Sequence, residues 1–344
     1  MERFPHAHGG PLLRGVLRAE PVDFIVEEQL GFEPAGAGEH VFVQIEKAQA
    51  NTDWVAQKLG AFAGVAAVGV GYAGLKDRHA VTRQWISLHL PGRADPDWAA
   101  FDAPGVRVLQ AVRHDRKLKR GAHRGNGFRI RLRAVSGETG AVDARLAAIA
   151  AGGVPNYFGE QRFGRDGDNL VLARQLFGGQ RLPRHLRGYA LSAARSLLFN
   201  RLLAARVDAG SWNQALAGEV WMLDGSHAIF GPLPFDDTLA ARLAAHDIHP
   251  TGPMWGRGAL RSADEVRALE AAVAAAEPEL AEGLAAAGLD QERRALRLGV
   301  ADLSWAWEDE ATLVLTFALE SGAYATTVLR ELADWNTDQA SAGA

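Results

Sequence analysis

Asp77 sits in Ala73-Gly74-Leu75-Lys76-Asp77-Arg78-His79-Ala80-Val81-Thr82-Arg83-Gln84-Trp85, a loop carboxylate between two cations. On its own it reads as a solvated turn residue, because short motifs match by chance more often than they catalyse. Just upstream, Gly69-Val70-Gly71-Tyr72-Ala73-Gly74 spells the GxGxxG pattern of dinucleotide-binding turns. That pattern works only where its last glycine opens a helix aimed at a pyrophosphate. Here a Leu-Lys-Asp-Arg-His loop and then a strand follow, so the reading fails. A phosphate-loop reading fails as well, because Lys76 precedes Asp77 rather than Ser or Thr. Asp166-Gly167-Asp168-Asn169 lacks EF-hand spacing. His6 with His8, and His246 with His249, have no cysteine or carboxylate at fixed offsets, so they read as surface histidines. No metal and no cofactor is expected.

A second chemical signal is the stretch Arg113 to Arg133, with nine Lys/Arg against one Asp. Cationic runs are often only solvated faces. Three features favour RNA: the charges continue across an alternating segment, Gly121, Gly125 and Gly127 loosen it, and Phe128 interrupts it. Cations that track phosphates and an aromatic that stacks a base are the parts an RNA groove needs. Lys117, Lys119, Arg120 and Arg124 are the candidates for the RNA backbone. The formal net charge of −4 does not oppose this reading, because screening makes local rather than total charge decisive.

These residues need elements to hold them. Residues 12–30 read as an early strand pair, His40 to Glu46 as an alternating strand, and Asn51-Thr52-Asp53 as the cap of a helix to about Phe62. Val68 to Tyr72 and Gln84 to Leu90 read as strands around the Asp77 loop. Phe128-Arg129-Ile130-Arg131-Leu132-Arg133 alternates strictly and predicts a strand with one cationic face. A helix from about Gly140 to Ala151 ends at Gly152-Gly153. Helical patterns dominate 168–208 and 262–298, around an irregular stretch at 221–258. Strand texture resumes at Thr312 to Phe317, a terminal helix spans about Ala325–Ala333, and Asn336 to Ala344 read as frayed. A sheet-like first part, a helical middle and a returning strand indicate one domain inserted into another. The 344 residues suffice for this, and no segment has the apolar length of a membrane span. With no cysteine and no apolar leader, a cytoplasmic protein is expected.

The run Ala73 to Trp85 resembles the AGxKDxxAxTxQ signature of the TruD family of tRNA pseudouridine synthases. Val154-Pro155-Asn156-Tyr157-Phe158-Gly159-Glu160-Gln161-Arg162-Phe163-Gly164 resembles its NYFGxQRFG signature. Asp23 to Glu27, Gly125 to Phe128, Leu191 to Asn200 and Ser321 to Glu331 match further motifs in the family's order, across essentially the whole chain. The resemblance implies an α+β protein. A pseudouridine synthase fold with a central mixed or antiparallel sheet would occupy 1–152 and 305–344, with an α/β TruD-specific domain inserted at 153–304. It implies isomerisation of uridine 13 in the D arm of tRNA. It makes Asp77 the catalytic aspartate and Arg18 the basic residue paired with it. Phe24, Asn126 and Tyr324 would line the target nucleotide, and Phe128 would stack on the base. Position 324 is Phe in some relatives, and where Glu160 stands some have a small residue. The partner implied is tRNA, with no membrane and no obligate protein partner, and a monomer is expected.

The chemistry suits these residues. Making pseudouridine breaks the C1′–N1 bond, turns the uracil and rejoins it through C5, with no net transfer of electrons or phosphate. One carboxylate near C1′ can attack it covalently, stabilise an oxocarbenium-like centre or remove a ribose proton. In a water-poor pocket that carboxylate needs a counter-charge to stay ionised. Unstacking the target costs a few kcal/mol, and aromatic stacking returns about 1–3 kcal/mol per base. Two other readings remain: a catalytically idle RNA-binding protein using the same groove, and a sugar hydrolase, which needs two carboxylates that the sequence does not place together.

Overall fold

The structure, a computed structural model, describes residues 3–337. The chain runs through β1 (Leu13–Leu17), β2 (Phe24–Gln29), β3 (His40–Lys47), α1 (Thr52–Phe62), β4 (Val70–Tyr72), β5 (Val81–His89), β6 (Val106–His114), β7 (Gly125–Gly137) and α2 (Val142–Gly152). It continues with β8 (Val154–Pro155), α3 (Asp168–Phe177), α4 (Arg184–Asp208), β9 (Trp221–Leu223), β10 (Ile229–Phe230), α5 (Asp237–Ala244), β11 (Ile248–Met254), α6 (Asp264–Ala276) and α7 (Pro278–Ala286). Last come β12 (Glu292–Ala295), β13 (Arg297–Leu298), β14 (Ala301–Asp309), β15 (Thr312–Glu320), α8 (Ala325–Leu329) and β16 (Ala333–Thr337).

Two compact units emerge. The sheet unit holds residues 12–140, 301–322 and those from 333 on; the helical unit holds 1–11, 141–300 and 323–332. Among the described residues the sheet unit is built on ten strands, with the path β14-β15-β7-β2-β5-β3-β6; β1 joins β7 and β16, and β4 joins β5. Pairing is parallel for β1–β16 and β2–β5 and antiparallel elsewhere, so the central sheet is mixed. Alternation explains the strands. Phe128, Ile130 and Leu132 of β7 are buried while the intervening arginines are not. Leu313, Leu315 and Phe317 of β15 lie opposite them in register. On α1, Val55, Ala56 and Leu59 pack against Val41, Val43 and Ile45 of β3. Gly71 lets the 115–121 loop close over β4: a Cβ there would lie 2.4 Å from the Leu118 carbonyl oxygen. Packing therefore explains this glycine of the GxGxxG run, and β5 rather than a helix follows the loop after Gly74.

In the helical unit α3, α4, α6 and α7 enclose a core that includes Phe158, Phe199, Leu203 and Leu280. A four-stranded sheet, β10-β9-β11-β12, and the pair β13-β8 complete it. The α2 helix ends at Gly153, whose φ of +73° and close approach to the Leu298 carbonyl exclude a side chain.

Several expectations need correcting. The strands of residues 12–30 do not pair with each other; both pair with β7, which is long enough to serve β1 and β2 in turn. The 221–258 stretch holds β9, β10, α5 and β11, and the helical pattern of 262–298 gives way to β12 and β13. The helix at Ala325 stops at Leu329, and Asn336 belongs to β16, ordered by pairing with β1; residues 338–344 lie outside the described residues. The compact units divide at 11/12, 140/141, 300/301, 322/323 and 332/333. The first residues and α8 cluster with the helical unit because Phe4 and Tyr324 lie against its core, and Arg145 of α2 donates to the carbonyl oxygens of Gly10 and Glu331 there. His249 is buried rather than at the surface, bonded to Asp224 at 2.7 Å and to Arg297 at 2.9 Å. No cluster of three or more potential metal ligands occurs among the described residues.

Candidate active site

The loop between β4 and β5 carries Asp77 over one face of the sheet. The register aligns Lys47, Thr82, Val26, Phe128 and Phe317 across five strands, and sets Glu28 opposite Asn126. Arg18 follows β1, and its Nη2 lies 2.9 Å from Oδ2 of Asp77. Its guanidinium also lies over the Phe24 ring, 4.2 Å from the centroid. Oδ1 of Asp77 accepts the His79 backbone N–H at 3.0 Å. Arg18 thus bridges the Phe24 ring and the Asp77 carboxylate.

Magnitudes assign the pair a role. The two side chains are 28% and 34% exposed, and an ion pair so open to solvent contributes about 0–1 kcal/mol to stability. Arg18 has φ +62°, a left-handed conformation that costs an ordinary residue roughly 1–2 kcal/mol. On balance the arrangement does not stabilise the fold. The left-handed backbone of Arg18 places its guanidinium between the Phe24 ring and the Asp77 carboxylate. The carboxylate is also wetter than the dry pocket expected from sequence, because its loop is a surface loop.

The aromatic residues are less open than expected. Phe24 and Phe128 are buried and meet edge to face, with centroids 6.3 Å apart, while Phe128 stacks on Phe317 at 5.4 Å. They form a floor rather than a free-standing platform. Tyr324 belongs to the helical unit, where its hydroxyl accepts from Arg162 at 2.9 Å.

Beneath the loop lie groups that the sequence analysis missed. Lys47 is fully buried and donates from Nζ to the carbonyl oxygens of Asp77 at 3.1 Å and Lys76 at 3.4 Å. Burial pulls its ammonium down to about 8, against the attraction of Asp77. Lys76 pairs with Glu28 at 2.8 Å and donates to Oδ1 of Asn126 at 2.7 Å. Glu28 accepts the Trp85 backbone N–H at 3.1 Å. The Lys76 N–H bonds Thr52 Oγ1, which in turn donates to Gln84, so the start of α1 ties down the loop. His123 is buried beside Ser321 at 3.2 Å; burial and then the Lys76 charge hold it below the ordinary histidine range. A signal existed for two of these. Lys47 shares strand parity with Val41, Val43 and Ile45, and Glu28 with Phe24 and Val26, so both sit on inward positions.

The basic stretch divides in two. Arg131 and Arg133 bind the fully buried Asp23, and Arg129 and Arg131 bind Glu308, so the cationic face of β7 is internally paired. Lys117 donates to the Val68 carbonyl, and Arg120 lies over Tyr72 with Asp53 nearby. Lys119 and Arg124 are exposed, with no acidic partner among the described residues.

A mixed sheet with a loop-borne carboxylate–arginine pair above it, joined to a second, helix-rich unit, defines an α+β enzyme of the RNA-modifying class once its relatives are considered. The family profile described as "tRNA pseudouridine synthase D (TruD)" matches residues 5–179 and 178–332. The tRNA pseudouridine synthase D of Xanthomonas oryzae is 52% identical over 96% of this chain and 94% of its own. That of Methylococcus capsulatus is 51% identical over the same shares. A solved TruD structure from Methanosarcina mazei superposes with a TM-score of 0.75 at 23% identity, covering 95% of each chain. The chain belongs to the tRNA pseudouridine synthase D family, isomerases that make pseudouridine in tRNA. Among the described residues no helix is long and apolar enough to cross a membrane.

Proposed function

We propose that this protein converts uridine 13 in the D arm of tRNA to pseudouridine, with Asp77 as the catalytic carboxylate and without a cofactor. The observation that carries the proposal is the Arg18–Asp77 contact at 2.9 Å, held in a strained backbone above the face that bears Asn126 and Phe128. Arg18 orients the carboxylate and supplies its counter-charge; the His79 N–H fixes the other oxygen. In the reaction C1′–N1 breaks, the uracil turns, C5–C1′ forms, N1 gains a proton and C5 loses one. Covalent attack, oxocarbenium stabilisation and the glycal route all use the same carboxylate. Phe24 and Phe128 hold the extruded base, Asn126 bonds its edge, and Tyr324 carries over from the family motif as a further nucleotide-lining residue. Bound RNA supplies the cover that Asp77 lacks in the free protein. The same reading has the protein act in the cytoplasm, as a monomer with tRNA as its partner.

Asp77→Asn tests it, being near-isosteric but uncharged. tRNA binding survives while tritium release from 5-labelled uridine falls to background. Unchanged turnover removes Asp77 from the mechanism, and binding without any turnover in the natural sequence favours an idle RNA binder.

A further inference from the structure

The Lys76–Glu28–Asn126 cluster does more than brace the loop. An ammonium can only donate, so the Asn126 atom 2.7 Å from Lys76 Nζ has to be the carbonyl oxygen. The orientation of the amide is therefore fixed by chemistry. Lys76 is itself held by the buried Glu28 at 2.8 Å, whose other oxygen takes the Trp85 N–H, so no rotation is free. The Asn126 Nδ2 group is left with no hydrogen bond among the described residues, as a donor of fixed direction beside Phe128.

From this geometry we infer that Lys76 sets Asn126 as a donor-only reader of the target base, and that this reader accepts uracil in both its starting and its rotated position. The inference rests on the reading that Asn126 meets that base. Uracil is nearly symmetric about the axis through N3 and C6. Turning it by half a revolution exchanges N1 with C5 and O2 with O4. A donor that bonds one carbonyl before rotation therefore bonds the other after it, and the contact survives the isomerisation. Cytosine breaks the symmetry, because N4 is an amino group. In one of its two positions it opposes the Asn126 donor with a donor. A site that keeps a polar group for a partner rejects an analogue that leaves it unpaired, by about tenfold in affinity or more. Lys76 and Glu28 are on this view positioning residues for uridine specificity, acting through Asn126.

The experiment uses the full chain in the Asp77→Asn background, so that no turnover intervenes. Four tRNAs carry uridine, pseudouridine, cytidine or the C5-linked pseudocytidine at the target position. Uridine and pseudouridine bind alike, and one of the two cytosine forms binds about tenfold more weakly than its uracil counterpart. In Lys76→Met/Glu28→Gln, which frees the amide without leaving a buried charge alone, that penalty falls to about twofold or less, while Lys76→Arg, still donor-only, keeps it. Asn126→Asp retains the acceptor for Lys76 but turns an acceptor outward, so the rejected form becomes the preferred one. Cytosine forms that bind like their uracil counterparts, a penalty that survives the freed amide, or an Asn126→Asp protein with the original preference would each overturn the inference. Failure of the underlying function reads differently: the protein with Asp77 intact forms no pseudouridine, or all four RNAs bind no better than an unrelated RNA.

Discussion

The Nζ of Lys47 lies 3.1 Å from the backbone carbonyl oxygen of Asp77, so a fully buried ammonium holds up the residue proposed to catalyse. Burial places this lysine at about 8, against about 10.4 for an unfolded lysine. Between these values the unfolded chain binds more protons than the folded one. Stability attributable to Lys47 is therefore reduced at and below pH 8 and recovers as pH rises toward 10.4. The amplitude is on the order of 3 kcal/mol. Lys47→Met removes that slope, which urea unfolding of both proteins from pH 7 to pH 10 measures as a difference. Activity moves the other way. Above pH 8 the charge-assisted bonds to the loop weaken, and Lys47→Met lowers kcat about tenfold with little change in KM, because a misplaced carboxylate costs rate before it costs binding.

Asp23 is the second buried charge whose loss has a direction. Burial pushes its carboxyl up, but hydrogen bonds from Arg133, the Glu20 N–H and Arg131 outweigh that and hold it below the usual aspartate range. Its stabilisation is present above the unfolded value near 4 and disappears as pH falls through the lower folded value. Asp23→Ala removes the shared acceptor of Arg131 and Arg133, which keep Glu308 and Glu20 as partners, and destabilises by about 1.5–3 kcal/mol. Chemical denaturation at pH 7 checks this. A change under 1 kcal/mol would falsify the view that the paired face of β7 is structural.

How far the sequence reached follows from the range of the forces involved. Strands β3, β7 and β15 alternate locally, so their periodicity was legible. The partners of the β7 arginines were not, because Glu308 lies 177 residues from Arg131 and nothing local marks the pairing. The end of β16, from Asn336, read as frayed for the same reason: its order comes from β1, at the other end of the chain. Asp77 and Arg18 were reached only through the family motif, whereas Lys47 carried a local signal in its inward parity. The long stem of a lysine at a strand end can carry its ammonium to solvent, so parity alone does not establish its burial.

The division of the basic stretch predicts unequal salt effects. Lys119 and Arg124, exposed and without acidic partners among the described residues, are the cations proposed to meet phosphates, so Lys119→Ala and Arg124→Ala are each expected to flatten the slope of log K against log salt by about 0.7–0.9. Arg120 is shared with Tyr72 and Asp53, and Lys117 with a carbonyl, so their removal changes the slope less. Filter binding of tRNA from 50 to 300 mM salt, on the order of the range where counterion release dominates, measures each slope. Equal slopes in all four variants would return the stretch to an ordinary solvated surface.

Arg18 separates catalysis from stability most sharply. Its side chain spans the Phe24 ring and the Asp77 carboxylate, and its backbone carries a left-handed φ of +62°. Arg18→Gly relieves the backbone, worth roughly 1–2 kcal/mol, while losing an exposed ion pair worth about 1 kcal/mol or less and a stacked cation of similar size. Its unfolding free energy should stay within about 1 kcal/mol of the natural protein. Its saturating single-turnover rate should fall about a hundredfold, because the carboxylate loses the group that aims it. Arg18→Lys keeps the charge but not the planar stack on Phe24, and so recovers part of that rate. An affinity loss with the saturated rate intact would instead make Arg18 a contact to the RNA backbone, with Asp77 oriented by the His79 N–H and the buried Lys47 alone.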